Sequence, residues 1–180
     1  RDLRMSRGLG DVYKRQYQLF FGRYLLFFVM GQLQALIIVL GDIYILHCQI
    51  LYPGWFWLVA SLASVTFTLL IYSLALSFGD VGKALAVVIM VIQIAGSGGT
   101  FPIELLPAVY RNIYIFFPFP YAINAMRETI GGMYGSDYMK NLAELMIFAV
   151  VGLLIGLVIR IPFVKLNHFV EKRMEDTKMM

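Results

Sequence analysis

Three polar side chains lie within an otherwise apolar stretch near the start of the chain. Gln32, Gln34 and Asp42 interrupt the stretch from about Tyr24 to Leu46. Polar groups inside a membrane are costly and often mark a pathway for ions or substrates, so these three residues are candidates for translocation. Asp42, however, is only four residues from the end of the stretch, where water is near. Two interpretations of Asp42 stay open, an interfacial or structural role and a role in translocation.

A second group of charged residues lies further along the chain. Glu104, Arg127 and Glu128 could form a polar cluster, because the sequence around them is strongly apolar. The alternative is a solvated helix surface, or an ion pair that contributes little to stability. The sequence does not choose between the two.

The segment 96–100, Gly-Ser-Gly-Gly-Thr, invites comparison with phosphate-binding loops. A P-loop requires a lysine after its last glycine, and Thr100 stands there instead. We therefore interpret the segment as a break in a helix, at which glycines allow close approach of two backbones.

The chain offers few residues for catalysis or metal binding. Cys48 is the single cysteine, which excludes a disulfide framework and a multi-cysteine metal site. His47 and His168 are the two histidines, and no Ser/His/Asp or Cys/His arrangement is credible. We expect no enzymatic activity, no cofactor and no metal in this chain.

Four apolar stretches must position these residues. Of the 180 residues, 60% are hydrophobic and 14% are charged. The hydrophobic share is well above the value of about 45–50% in soluble domains. The stretches are Tyr24–Leu46, Trp55–Phe78, Lys83–Ala95 and Ala143–Val164. A helix needs about 20 residues to cross a bilayer, and the third stretch alone is clearly shorter. It either ends inside the membrane or continues through the glycine break. The sequence thus predicts an all-α polytopic membrane protein with about four transmembrane helices.

The positions of Lys and Arg predict the orientation of these helices. With four spans, seven basic residues outside the first 16 share one face: Arg23, Lys83, Arg160, Lys165, Lys172, Arg173 and Lys178. The opposite face holds Arg111, Arg127 and Lys140. Because basic loops remain in the cytoplasm, both ends of the chain are predicted to be cytoplasmic. The net charge of +4 therefore reflects orientation in a lipid bilayer and predicts no nucleic-acid partner.

The region from about 101 to 141 is too polar for a further span and too apolar for a simple loop. Residues 108–117 and 121–130 have the pattern of two short helices. Pro118 and Pro120 separate them, because proline has no amide donor and ends a preceding helix. We predict two re-entrant or interfacial helices on the outer face, which dip into the membrane rather than cross it.

The two ends of the chain differ from its middle. Residues 1–16 hold five basic and two acidic residues, and 11–16 can be back-translated into a transposon end used in sequencing adapters. We interpret 1–16 as a non-native adapter scar, which would make the chain a truncated one; the alternative is a short, disordered basic arm. Residues 17–165 are predicted to form the membrane domain and 166–180 a cytoplasmic tail.

Two motifs in the outer region resemble a known family. They are Gly98-Gly99-Thr100-Phe101-Pro102-Ile103-Glu104-Leu105-Leu106-Pro107 and the segment from Pro118-Phe119-Pro120-Tyr121 through Asn124, Arg127 and Glu128 to Gly131-Gly132. Together they resemble the C-terminal membrane region of the YhgE/Pip (phage infection protein) family and, more broadly, ABC type-2 exporter permeases. The resemblance covers roughly residues 17–165.

The resemblance implies a six-span permease fold, of which four spans are present, in a bacterial plasma membrane. It further implies a homodimer or heterodimer and ATP hydrolysis by a separate subunit. The residues that would form the outer gate are Gly98, Gly99, Phe101, Pro102, Glu104, Pro107, Pro118, Tyr121, Asn124, Arg127, Glu128 and Gly131. The alternative function is a membrane anchor for a cell-surface receptor or envelope scaffold without transport activity.

Overall fold

The computed structural model describes the backbone of residues 2–97, 99, 105 and 107–159, and within these ranges the side chains except those of 2–17, 110, 111 and 159. Every regular element in these ranges is helical, as predicted. The helices are α1 (Asp2–Leu40), which continues as a π-helical turn (Gly41–Ile45), α2 (Pro53–Gly96), α3 (Ala108–Ile113), followed by a 3₁₀ turn (Tyr114–Phe116), α4 (Pro118–Gly131) and α5 (Asp137–Leu154), which continues as a second π-helical turn (Ile155–Ile159).

Three of these helices are long and apolar enough to cross a membrane. The segments are Gln18–Ile45, Pro53–Gly96 and Asp137–Val158. The first and last contain the first and fourth predicted stretches. The last begins at Asp137 rather than Ala143, because an acidic residue in the first turn is favourable beside the helix dipole.

The second and third predicted stretches are two arms of α2, which is broken at Gly79. Gly79 has φ 60° and ψ −131°, a conformation that L side chains rarely adopt. Beyond it the chain folds back so closely that a methyl group on Gly82 would overlap the Leu74 carbonyl oxygen. The arm 80–96 therefore returns alongside the arm 53–78. The returning arm ends at Gly96, before the glycine-rich segment.

The bundle has two ends that are distinguished by their contacts. At one, here the Gly79 end, Phe20 of α1, Tyr72 of α2 and Leu157 after α5 pack together. At the other, here the α4 end, Phe56 near the start of α2 packs on Val39 and Ile43. The described parts of α1 and α5 thus begin and finish at the same end. That this end faces the cytoplasm stays a prediction.

Helix α4 lies antiparallel to the first arm of α2 and covers only half of it. The Phe119 and Phe67 rings are 5.6 Å apart, and at the other end of α4 the Tyr52 amide donates to the Thr129 carbonyl at 3.2 Å. Fifteen residues separate Tyr52 from Phe67, which is about 22 Å along a helix. Helix α4 therefore begins deep within the bundle and rises to the α4 end, as a re-entrant helix does.

The prolines act differently from the prediction. Pro118 and Pro120 were expected to precede the helix, but α4 begins at Pro118 and contains both, each buried. The first turn of a helix tolerates proline, because its amide would have no intrahelical acceptor. The same pair directly follows the 3₁₀ turn, which ends at Phe116.

Candidate functional site

A cleft of about 580 Å³ lies between α1 and the first arm of α2. Its walls come from both helices, and two residues of α4 close it on one side. The residues that define it are Gly31, Gln34, Ser64, Thr68, Phe119 and Met126. Although mostly apolar, the cleft thus holds an amide and two hydroxyl groups within the membrane-spanning part of the chain.

Small residues allow α1 and α2 to approach each other at the cleft. A methyl group on Gly31 would lie 2.7 Å from the Ser64 hydroxyl oxygen and 3.3 Å from the Thr68 methyl carbon. The Thr68 hydroxyl donates to the Ser64 carbonyl at 2.7 Å, and the Tyr24 hydroxyl donates to the Val65 carbonyl at 3.2 Å. The Thr68 and Tyr24 hydroxyls are thus satisfied by backbone carbonyls, as buried polar groups in a membrane must be.

The two glutamines of α1 have different surroundings. The Gln32 side-chain amide donates to the Ser61 carbonyl at 3.2 Å and accepts a bond from the Ser61 hydroxyl, so it fastens α1 to α2. Gln34 is exposed and lines the cleft. Of the two, Gln34 therefore has the side chain that lines the cleft.

Asp42 lies in the π-helical turn at the α4 end of α1. Its carbonyl oxygen accepts a hydrogen bond from the Cys48 amide at 3.0 Å, and the residue is half-buried. The position is within the last turn of the span Gln18–Ile45, and π-helical turns are frequent at functional sites. Its role stays a prediction.

Two hydrogen bonds fasten the 3₁₀ turn to α4. The Tyr121 hydroxyl donates to the Ile115 carbonyl at 3.0 Å, and the Asn124 amide donates to the Tyr114 hydroxyl at 2.9 Å. The pair of short helices before residue 132 is thus internally bonded.

A polar pocket of about 380 Å³ lies between α4 and α5 at the α4 end. Glu128 accepts a bond from the Tyr134 amide at 2.9 Å, and Lys140 pairs with Asp137 at 2.8 Å. The lining residues are Asn124, Arg127, Glu128, Asp137, Lys140 and Asn141. The structure therefore brings the predicted Arg127 and Glu128 together with the start of α5.

The sequence analysis missed the contribution of α5 to this pocket. Because the fourth stretch was expected to begin at Ala143, the polar residues before it were not placed on a helix. With the helix starting at Asp137, Lys140 and Asn141 follow at spacings of three and four and share one face. An acidic residue followed by a lysine three positions later was the available signal.

The other predicted gate residues are distributed around α4. Gly99 approaches it so closely that a methyl group there would lie 2.9 Å from the Ile123 side chain. Pro107 is exposed ahead of α3, and Gly131 ends α4. Gly98, Phe101, Pro102 and Glu104 lie outside the described residues. Among those described, no group of three or more His, Cys, Asp or Glu side chains could hold a metal ion.

Comparison with known proteins decides the family. The family model described as "ABC-2 family transporter protein" matches residues 12–158, which include the three spans and α4. The chain belongs to the ABC-2 transporter family. It is also 31% identical over 163 residues to the "Uncharacterized protein YhgE" of Bacillus subtilis (strain 168), an alignment that covers 89% of this chain and 20% of that protein. No solved structure matches the chain significantly.

The match confirms the family resemblance seen in the two outer motifs. The chain is a permease-like, multi-pass membrane domain of the ABC-2 type, similar over 163 residues to YhgE. It spans about a fifth of the length of the relative that it matches.

Proposed function

We propose that the chain forms the membrane part of an exporter in a bacterial plasma membrane and itself catalyses no reaction. A substrate would move along the cleft between α1 and α2, and a separate subunit would hydrolyse ATP. The observation that carries this proposal is the position of α4. Its residues Phe119 and Met126 close the cleft on one side, while Gln34 lines it within the span.

The cleft is open on one side, and in the proposed homodimer or heterodimer a second subunit covers this side. Helix α1 has large apolar side chains exposed along most of its described length, among them Ile37 with 68% exposed. Lipid or a partner must cover such a surface. In the proposed arrangement a second permease subunit faces the cleft, and the helices up to Gly132 close its extracellular side.

Cysteine accessibility tests the route and its energy source together. In a chain with Cys48→Ser, the variant Gln34→Cys is labelled with a thiol reagent in native membranes, with and without ATP. We expect ATP to change the labelling rate, because transport alternately opens and closes the cleft. The matched control is Leu36→Cys, an exposed position about 200° around the same helix from Gln34 and not part of the cleft, where the rate should not respond to ATP.

Trapping the ATPase with vanadate should hold the Gln34→Cys rate at one value. Equal labelling rates with and without ATP at both positions would contradict transport. That result would favour the alternative, a membrane anchor for a surface receptor or scaffold.

A further inference from the structure

A second cavity, of about 220 Å³, lies between the two arms of α2, the start of α4 and α5. It is larger than the cavities of about 150 Å³ that hold a benzene molecule in proteins. Its walls are formed by Leu74, Ala86, Gln93, Phe117, Phe148 and Val151, among other apolar residues. It is thus large enough for a ring or a short stretch of hydrocarbon chain.

Gln93, which lines this cavity, carries a buried hydrogen-bond acceptor that is unsatisfied. The residue is 4% exposed, and its side-chain oxygen is fully buried and accepts no hydrogen bond. Every other described side chain that lines the cavity is apolar. A buried polar group without a partner is costly, and most such groups in proteins have one. The cavity therefore lacks one hydrogen-bond donor.

The surroundings exclude the two simplest occupants. A lipid tail would fill the apolar volume but would leave the Gln93 oxygen without a donor. A water molecule would supply a donor, yet buried waters are held by two to four polar groups. Among the described lining residues, Gln93 alone offers one. An occupant that fills the cavity and also bonds to the Gln93 amide oxygen must combine an apolar body with a hydrogen-bond donor.

We propose that this cavity binds an amphiphile, an apolar ring or chain that carries one hydroxyl group. The Gln93 side-chain amide turns toward the cavity, so that its buried oxygen accepts a hydrogen bond from the hydroxyl. The apolar body contacts Phe117 and the other hydrophobic walls. The cavity adjoins the cleft, since Phe67, Ile71 and Met90 line both. Binding here does not require the transport proposed above, and it is measured without ATP.

Photolabelling of the protein in lipid nanodiscs tests the proposal. The probes are a long-chain primary alcohol with a diazirine in its chain and the methyl ether of the same alcohol. The ether has the same apolar body but cannot donate a hydrogen bond. We expect the alcohol to label peptides that contain Met90 or Phe117 at least about five-fold more than the ether does, since one hydrogen bond separates the two probes. Equal labelling would overturn the proposal and indicate a cavity filled by lipid tails.

Two variants place the interaction at Gln93. Gln93→Leu should reduce alcohol labelling to the level of the ether, whereas Gln34→Leu, in the neighbouring cleft, should leave the five-fold preference unchanged. Val151→Trp enlarges an exposed side chain at the cavity wall and should reduce labelling by both probes. Since Val151 lies at the surface of α5, this variant should fold normally. A preference for the alcohol that persists in Gln93→Leu would contradict the assigned contact.

Discussion

The two ends of the bundle are packed in different ways. At the Gly79 end, the Phe20 ring is 1% exposed, lies 5.1 Å from the Tyr72 ring and packs over Gly156. Toward the α4 end, the buried residues with which α4 meets the first arm of α2 are small, with Ala122 against Ala63 and Ala125 against Val59. Large interlocking rings fix the spans relative to one another, whereas small side chains let a short helix lie close without interlocking.

This difference in packing suggests different roles for the two ends: the Gly79 end holds the spans together, and the α4 end contains the proposed gate. At the Gly79 end, the aromatic contacts join all three spans, away from the proposed gate. The small-residue contacts seat α4 beside the cleft at the other end, where the proposed gate must move. Substitutions should therefore affect stability most at the Gly79 end, and their effects should decrease toward the cleft.

The largest loss of stability is expected from Gly156→Leu. A methyl group there would already lie 2.5 Å from the Ser73 hydroxyl oxygen and 2.6 Å from a Phe20 ring carbon. Because Phe20 is buried and cannot move aside, we expect destabilisation of about 3 kcal/mol or more, at the upper end for overpacking. Thermal unfolding in detergent measures it. Gly22→Leu is the control, since nothing lies within 4 Å of a methyl group there.

A smaller loss is expected where α4 meets the first arm of α2. Ala125 is fully buried between Val59 and Tyr138, so Ala125→Leu should push α4 away from α2. We expect about 1–3 kcal/mol in the same assay. Ala108→Leu, on an exposed position of α3, should be nearly neutral. A greater loss for Ala125→Leu than for Gly156→Leu would reverse the proposed division between the ends.

The hydrogen bond between α5 and the start of α2 should contribute less. The Tyr138 hydroxyl donates to the Trp55 carbonyl at 3.1 Å. Tyr138→Phe keeps the ring and removes this bond, which should cost about 1 kcal/mol. Tyr134→Phe, at a residue 82% exposed, is the matched control and should leave the unfolding temperature unchanged.

The smallest expected effect separates the two glutamines of α1. Gln32→Leu removes the bonds to Ser61 and should cost about 0.6 kcal/mol, the average for hydrogen bonds between membrane helices. Gln34→Leu should leave stability unchanged, because Gln34 faces the cleft. Chemical unfolding of the two variants side by side resolves this difference. Equal losses would mean that both glutamines are structural.

Much of the fold could be predicted from the sequence because the apolar stretches are long. Length and hydrophobicity place the spans, and prolines mark the boundary between the 3₁₀ turn and α4. The break at Gly79 could also be predicted, since it falls between an uncharged stretch and Lys83. The depth of α4 in the bundle could not be predicted, because it depends on contacts between small residues of helices that are distant in sequence.

The residues of the candidate site were harder to predict from the sequence, because they too depend on how the helices pack. Gln32 and Gln34 are two positions apart on one helix, so only the rotation of α1 against α2 decides which one is bonded. The same holds for Gln93, which sequence analysis assigned to no site. Its burial depends on where the second arm of α2 meets the start of α4.

The depth of the turn before α4 tests the central claim, that a re-entrant helix reaches into the bundle beside the cleft. Spin labels are attached to Phe116→Cys and, as a shallow control, to Tyr134→Cys, both exposed positions, in a chain with Cys48→Ser. Collision rates with oxygen and with a water-soluble nickel complex then give the depth of each label in a bilayer. The label at position 116 should lie about 10 Å or more deeper than the label at 134, given the length of α4. Equal depths near the headgroups would contradict the re-entrant arrangement and the gate built on it.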